Sequence, residues 1–61
     1  MLKKLPMLRK KRKLTQRALA ELSGISYVHI ARMETGESDP RLSTLKALAK
    51  ALKVKIGDLV K

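Results

Sequence analysis

The sequence predicts an all-helical domain, on three observations. Leu, Ala, Ile and Val dominate a 44% hydrophobic content. They recur with Lys and Arg at intervals of three and four rather than two, the period of a helix face. Two prolines and three glycines divide the chain into short segments with readable starts and stops. A chain of 61 residues without cysteine gives one domain at most. Folding at this size hides about 60% of the unfolded surface. Aliphatic packing must therefore hold the fold, with no disulfide staple.

Residues 1–5 read as a flexible basic arm ahead of Pro6, which a helix tolerates in its first turn and poorly in its interior. A first helix is expected from about Leu5 to Arg12, with Leu5 and Leu8 as its apolar side and Arg9 beside them. Thr15 is the expected N-cap of a second helix, Gln16 to Ser23, on which Leu19, Ala20 and Ser23 share a face. Gly24 ends it by taking the left-handed conformation. Ser26 caps a third helix to about Thr35, and Gly36 stops that one in the same way. After the turn-forming Glu37-Ser38-Asp39-Pro40, a fourth helix begins between Arg41 and Ser43 and aligns Leu42, Leu45, Leu48, Ala49 and Leu52 in one stripe. A last turn of helix covers about Ile56 to Val60. Met33 is expected in the core, and Met1 and Met7 at the periphery.

Charge narrows the function. Fifteen Lys and Arg against five Asp and Glu give a formal net charge of +10. Lys3, Lys4, Arg9, Lys10, Lys11, Arg12, Lys13 and Arg17 all precede Glu21, the first acid. Such a block calls for solvent or an anionic neighbour, whether nucleic acid, an anionic membrane surface or an acidic protein. The chain has no room for a deep substrate pocket beside its core, so an enzyme is not expected. His29 is the single histidine, without a Cys, His or paired carboxylate at ligand spacing, which argues against a metal site and against general-base catalysis. The longest apolar run is far short of the roughly 20 residues that span a bilayer, and no secretory signal precedes it, so a cytoplasmic location is expected. Neither a cofactor nor a small-molecule ligand is expected.

On the third helix, advancing about 100° per residue places Tyr27, Ala31, Thr35, Val28 and Arg32 within an arc of about 140°. Ile30 and Met33 define the inward side, Glu34 lies at its edge, and His29 sits on the flank. A phenol, a small apolar pair and a guanidinium solubilise poorly and suit a groove. Arginine can fork onto guanine O6 and N7, and Ala or Val can touch a thymine methyl. A short turn through Gly24 between two helices fits a helix-turn-helix over about residues 15–35. In that unit Ala20 allows close approach, and Ile30 fills the angle between the helices.

The marks Leu8-Arg9, Leu14-Thr15-Gln16, Leu19-Ala20, Gly24-Ile25-Ser26, Ile30, Met33-Glu34-Thr35-Gly36, Pro40 and Leu45 to Leu52 together resemble the Cro/phage-repressor-like (XRE-type) helix-turn-helix family. The likeness covers about Leu5 to Leu59. It implies an all-α, compact five-helix bundle of the lambda-repressor-like kind, and a transcriptional regulator that binds double-stranded operator DNA as a homodimer. It also implies that Gln16 touches phosphate and braces the recognition helix, and that Tyr27, Val28 and Arg32 read bases. Ser26, His29 and Arg41 fall where phosphate contacts are common, with Arg17 and Lys10 as further backbone contacts. Arg9 and Glu34 correspond to a structural ion pair. Arg41 is in any case free to face a phosphate if Leu42 turns into the core.

Two positions depart from the family's pattern. Lys53 stands where a Gly usually ends the fourth helix, and Lys55 where a Ser or Thr usually caps the fifth. Both lysines, with Lys50, suit the negative end of the fourth helix. The leading expectation is sequence-specific DNA binding and repression by two copies on half-sites about 34 Å apart, with Leu59 and Val60 as candidate dimer contacts and the core as an equal alternative for Leu59. The alternative is an antitoxin-like or coactivator-like protein-interaction module of the same fold. RNA reading is disfavoured by a single stacking aromatic. Membrane-surface binding is disfavoured because the core requires Leu5 and Leu8.

Overall fold

The computed structural model describes residues 2–60. Five helices follow the sequence punctuation closely: α1 (Leu5–Lys11), α2 (Gln16–Ser23), α3 (Tyr27–Thr35), α4 (Leu42–Leu52) and α5 (Ile56–Val60). α2 packs against both α3 and α4, and α4 carries α5. Every helix contributes to one core of Leu5, Leu19, Ile30, Met33, Leu48, Leu52 and Leu59, joined by Leu2 and Ala49. No helix among the described residues is long and apolar enough to cross a membrane.

Local chemistry sets the ends of the helices that matter for the site. Thr15 and Ser26 hold extended backbone, and their hydroxyl oxygens accept the N–H of Ala18 at 3.0 Å and of His29 at 3.1 Å. Each such cap is worth about 1 kcal/mol over alanine. Gly24 (φ 75°) and Gly36 (φ 83°) take the left-handed conformation that ends α2 and α3. α1 and α4 reach the same stop without glycine. Lys13 (φ 57°) and Lys53 (φ 56°) are left-handed, and the next N–H reaches back five residues, from Leu14 to Arg9 at 3.1 Å and from Val54 to Ala49 at 2.9 Å. These are the bonds of a Schellman ending, made at the steric cost of a Cβ. At α5 Lys55 has no side-chain acceptor to offer its helix. Instead Asp58 Oδ2 accepts the Lys55 N–H at 3.2 Å, the reciprocal half of a capping box.

Two expectations are corrected. The arm expected over residues 1–5 is packed from Leu2 onward: Leu2 is 2% exposed, and its carbonyl accepts the Leu5 N–H at 3.1 Å. The two leucines are spaced i,i+3 and drop onto one core, while Lys3 and Lys4 between them stay exposed. Met1 lies outside the described residues. Leu42 is 61% exposed rather than a core residue. It is the first residue of α4, a turn before Leu45, where the apolar stripe has already run past the rim of the core. Leu59, open to core or interface in the sequence, is buried in the monomer, whereas Val60 remains exposed.

Replacing Lys53 by glycine relieves the left-handed Cβ without touching the core. Lys53→Gly is expected to raise unfolding stability by about 1 kcal/mol, read as a higher urea midpoint at unchanged slope. A lower midpoint would contradict the account of this helix end.

Candidate nucleic-acid interface

The turn between α2 and α3 is fixed from within. Ser23 Oγ donates to the Leu19 carbonyl at 2.7 Å and accepts the Ile25 N–H at 3.2 Å, while Gly24 turns the chain between them. Half-buried Ile25 packs against the core beside Ile30. The start of α3 is thereby anchored on both sides, by the turn before it and by the Ser26 cap.

With Ile30 and Met33 turned into the core, the outward arc of α3 is set. Tyr27 and Val28 are 41% and 54% exposed, and Arg32 is exposed. These three line an open, shallow depression of about 280 Å³ with Ala31, Thr35 and Glu37. A second depression, about 470 Å³, adjoins it where α2 begins and is lined by Arg9, Thr15, Gln16, Arg17 and Tyr27. The Tyr27 ring is the wall common to both. The Arg17 guanidinium carbon sits 4.8 Å from the centre of that ring, a cation–π contact that ties the first turns of α2 and α3 together. Gln16, Arg17, Tyr27, Val28 and Arg32 thus form one continuous surface.

Beneath it lies a hydrogen-bonded cluster. Arg9 Nε and Nη2 donate to the two carboxylate oxygens of Glu34 at 2.7 and 3.2 Å, and Arg9 Nη1 donates to the Leu14 carbonyl at 2.7 Å. Gln16 Nε2 donates to Glu34 Oε1 at 3.0 Å. The Arg9 and Glu34 side chains are only 11% and 8% exposed. One carboxylate from α3 therefore joins a guanidinium from α1 and an amide from α2. The Gln16 amide is braced on α3 and keeps a second N–H for another acceptor.

The other residues singled out in the sequence lie around this surface rather than in either depression. Ser26 Oγ is occupied as an acceptor by the α3 cap, which leaves its O–H to donate. His29 is half-buried on the flank of α3. Lys10 is exposed in the last turn of α1, and exposed Arg41 immediately precedes α4. Arg12, which the sequence offers only as part of a basic run, donates from Nε to the Leu52 carbonyl at 3.0 Å and so caps the end of α4. The sequence also left Glu37 in a polar turn. The left-handed Gly36 carries it back over α3, where its N–H meets the Arg32 carbonyl at 2.9 Å and the residue joins the lining of the smaller depression.

A family model described as helix-turn-helix matches residues 7–59, which span α1 through α5. The chain belongs to the Cro/phage-repressor-like helix-turn-helix family. An immunity repressor protein of Bacillus phage phi105 is 43% identical over 53 residues, covering 87% of this chain and 37% of the relative. The HTH-type transcriptional repressor RghR of Bacillus subtilis (strain 168) is 48% identical over 48 residues, covering 77% of this chain and 36% of the relative. The chain thus spans little more than a third of the length of each of these two relatives. No solved structure gives a significant match.

The Arg9–Glu34 pair generates a sharp expectation. Removing either member strands a nearly buried charge, so Glu34→Ala and Arg9→Met should each cost about 3 kcal/mol. The combined Arg9→Met/Glu34→Ala variant should unfold at higher urea than either single variant, because no charge is left uncompensated. Strictly additive losses would show that the pair does not act as a unit.

Proposed function

We propose that the chain is a cytoplasmic transcriptional repressor domain that binds double-stranded DNA sequence-specifically, with α3 in the major groove. The observation that carries this reading is the outward arc of α3. Tyr27, Val28 and Arg32 stand exposed on a helix held rigidly by its cap, its turn and the Glu34 cluster. The printed names of the two relatives, both repressors, support the same reading.

Contacts in this proposal divide by role. Gln16, Arg17, Ser26, His29, Arg41 and Lys10 meet phosphates and set register, while Tyr27, Val28 and Arg32 meet base edges, Arg32 by a fork onto guanine. Glu34 stays internal. An anion facing phosphate would be repelled, and its oxygens already serve Arg9 and Gln16. A single small domain has few contacts to spend on specificity, so two copies on half-sites one helical turn apart complete the proposal.

Selection of duplexes from a random pool, repeated at two salt concentrations, tests this directly. The expected outcome is an enriched palindrome. On it, Arg32→Ala loses about 1–3 kcal/mol and relaxes one base position, whereas Lys10→Ala weakens all duplexes alike and lowers the salt slope by about 1. Salt-sensitive binding without enrichment would favour a protein-directed role for the arc. Uniform weakening by Arg32→Ala would remove that residue from base reading.

A further inference from the structure

A cleft of about 250 Å³ lies between the end of α1 and the turn from α4 to α5, lined by Leu8, Lys11, Arg12, Leu52 and Val54. It shares no residue with the two depressions of the α2–α3 surface. Leu52 is fully buried, and Leu8 and Val54 are half-buried and packed against the core. The two charged residues of the lining are both cationic. Lys11 and Arg12 are exposed and meet no carboxylate among the described residues. Arg12 is nevertheless held in place, because its Nε donates to the Leu52 carbonyl at 3.0 Å. That bond leaves the two Nη groups of the guanidinium as a fixed fork with hydrogens still to donate.

Two helices end at this cleft, and helix C-termini ordinarily repel an anion. Here most of their last carbonyls are already taken. Arg12 covers that of Leu52, and the N–H groups of Lys53 and Val54 cover those of Lys50 and Ala49 at 3.3 and 2.9 Å. At the end of α1, the N–H groups of Arg12, Lys13 and Leu14 do the same for Leu8, Lys10 and Arg9. What the cleft offers is aliphatic surface beside two cationic heads. A phosphate would leave the carbon unused, and a wholly apolar ligand would leave the fork unused. We propose that the cleft binds a small aliphatic carboxylate, its tail against Leu8, Leu52 and Val54 and its head on the Arg12 Nη pair, with Lys11 as a second cation. A guanidinium meets a carboxylate with two parallel hydrogen bonds, and the tail gains by leaving water. The site ties α1 to α4 and goes beyond the DNA-binding reading, on which it does not rest.

Octanoate is the probe, titrated into the isotope-labelled chain with backbone amide shifts as the readout. Saturable shifts are expected at Leu8, Lys11, Arg12, Leu52 and Val54, and none at Tyr27, Val28 or Arg32. Shortening the acid to hexanoate and then to butyrate should weaken binding by about fourfold for each methylene that the cleft buries. Octanol keeps the tail and loses the charge, and should bind about tenfold more weakly than octanoate, as expected when a charge-assisted pair gives way to a neutral hydrogen bond. Arg12→Gln removes the fork, and its own amide spectrum reports whether the fold is kept; a folded variant should bind octanoate and octanol about equally. The comparisons of tail and head group on the wild-type chain stand whether or not that variant folds. The absence of saturable binding, shifts spread over the surface lysines, equal affinity for octanoate and butyrate, or octanol binding as tightly as octanoate would each overturn the proposal. So would an undiminished preference for the carboxylate in folded Arg12→Gln. Each of these results leaves the DNA-binding reading as it stands.

Discussion

The outer face of α3 depends on one carboxylate that is almost out of water. Glu34 collects two N–H groups from Arg9 and one from Gln16, and Arg9 spends a further N–H on the Leu14 carbonyl between α1 and α2. Three helices are registered against each other at that point. Ion pairs of this kind gain little over well-packed carbon, because desolvation offsets most of the attraction. Their value is directional. Apolar contacts among Leu19, Ile30 and Met33 hold α3 in the bundle but tolerate rotation, whereas a forked guanidinium–carboxylate pair does not. With Glu34 pinned, α3 cannot roll about its axis, and the side chains of its outer arc are aimed.

The same cluster explains how a chain of net charge +10 remains organised. Its basic block is not one undifferentiated surface. Arg9 is spent on Glu34 and Leu14, Arg12 on the last carbonyl of α4, and Arg17 on the face of Tyr27. The arginines serve as structural forks, while Lys3, Lys4, Lys10, Lys11 and Lys13 keep their ammonium groups at the surface. That division follows from chemistry. A planar guanidinium can satisfy two or three acceptors in fixed directions, whereas an ammonium is best left hydrated.

Helix order and most boundaries were legible because their causes are local. Thr15 and Ser26 cap, Gly24 and Gly36 stop, and the spacing of Leu45, Leu48 and Leu52 names a face. Failures came where the outcome depended on the size of the core. Leu2 looks like part of an arm in the sequence because nothing local separates a loose leucine from a packed one; only the supply of apolar surface does. Leu42 obeys the helical period yet lies beyond the bundle's edge, and Leu59 was as readable for an interface as for the interior. Lys13 carries no sequence signal for a left-handed backbone, and Lys53 has one only in the glycine that usually stands at its place; the rest of the fold imposes the conformation on both. For the site, the exposed arc of α3 was readable from the wheel. The Arg17–Tyr27 stack and the return of Glu37 over α3 were not, since both join residues across a turn whose path periodicity does not describe.

The central claim is that α3 presents its outer arc to the floor of the major groove. Nuclear Overhauser contacts between the Val28 methyl protons and DNA protons in a complex test it most directly. The account predicts contacts to base-edge protons of the major groove. Contacts confined to sugar protons, or Val28 methyls left in solvent while the complex forms, would contradict it.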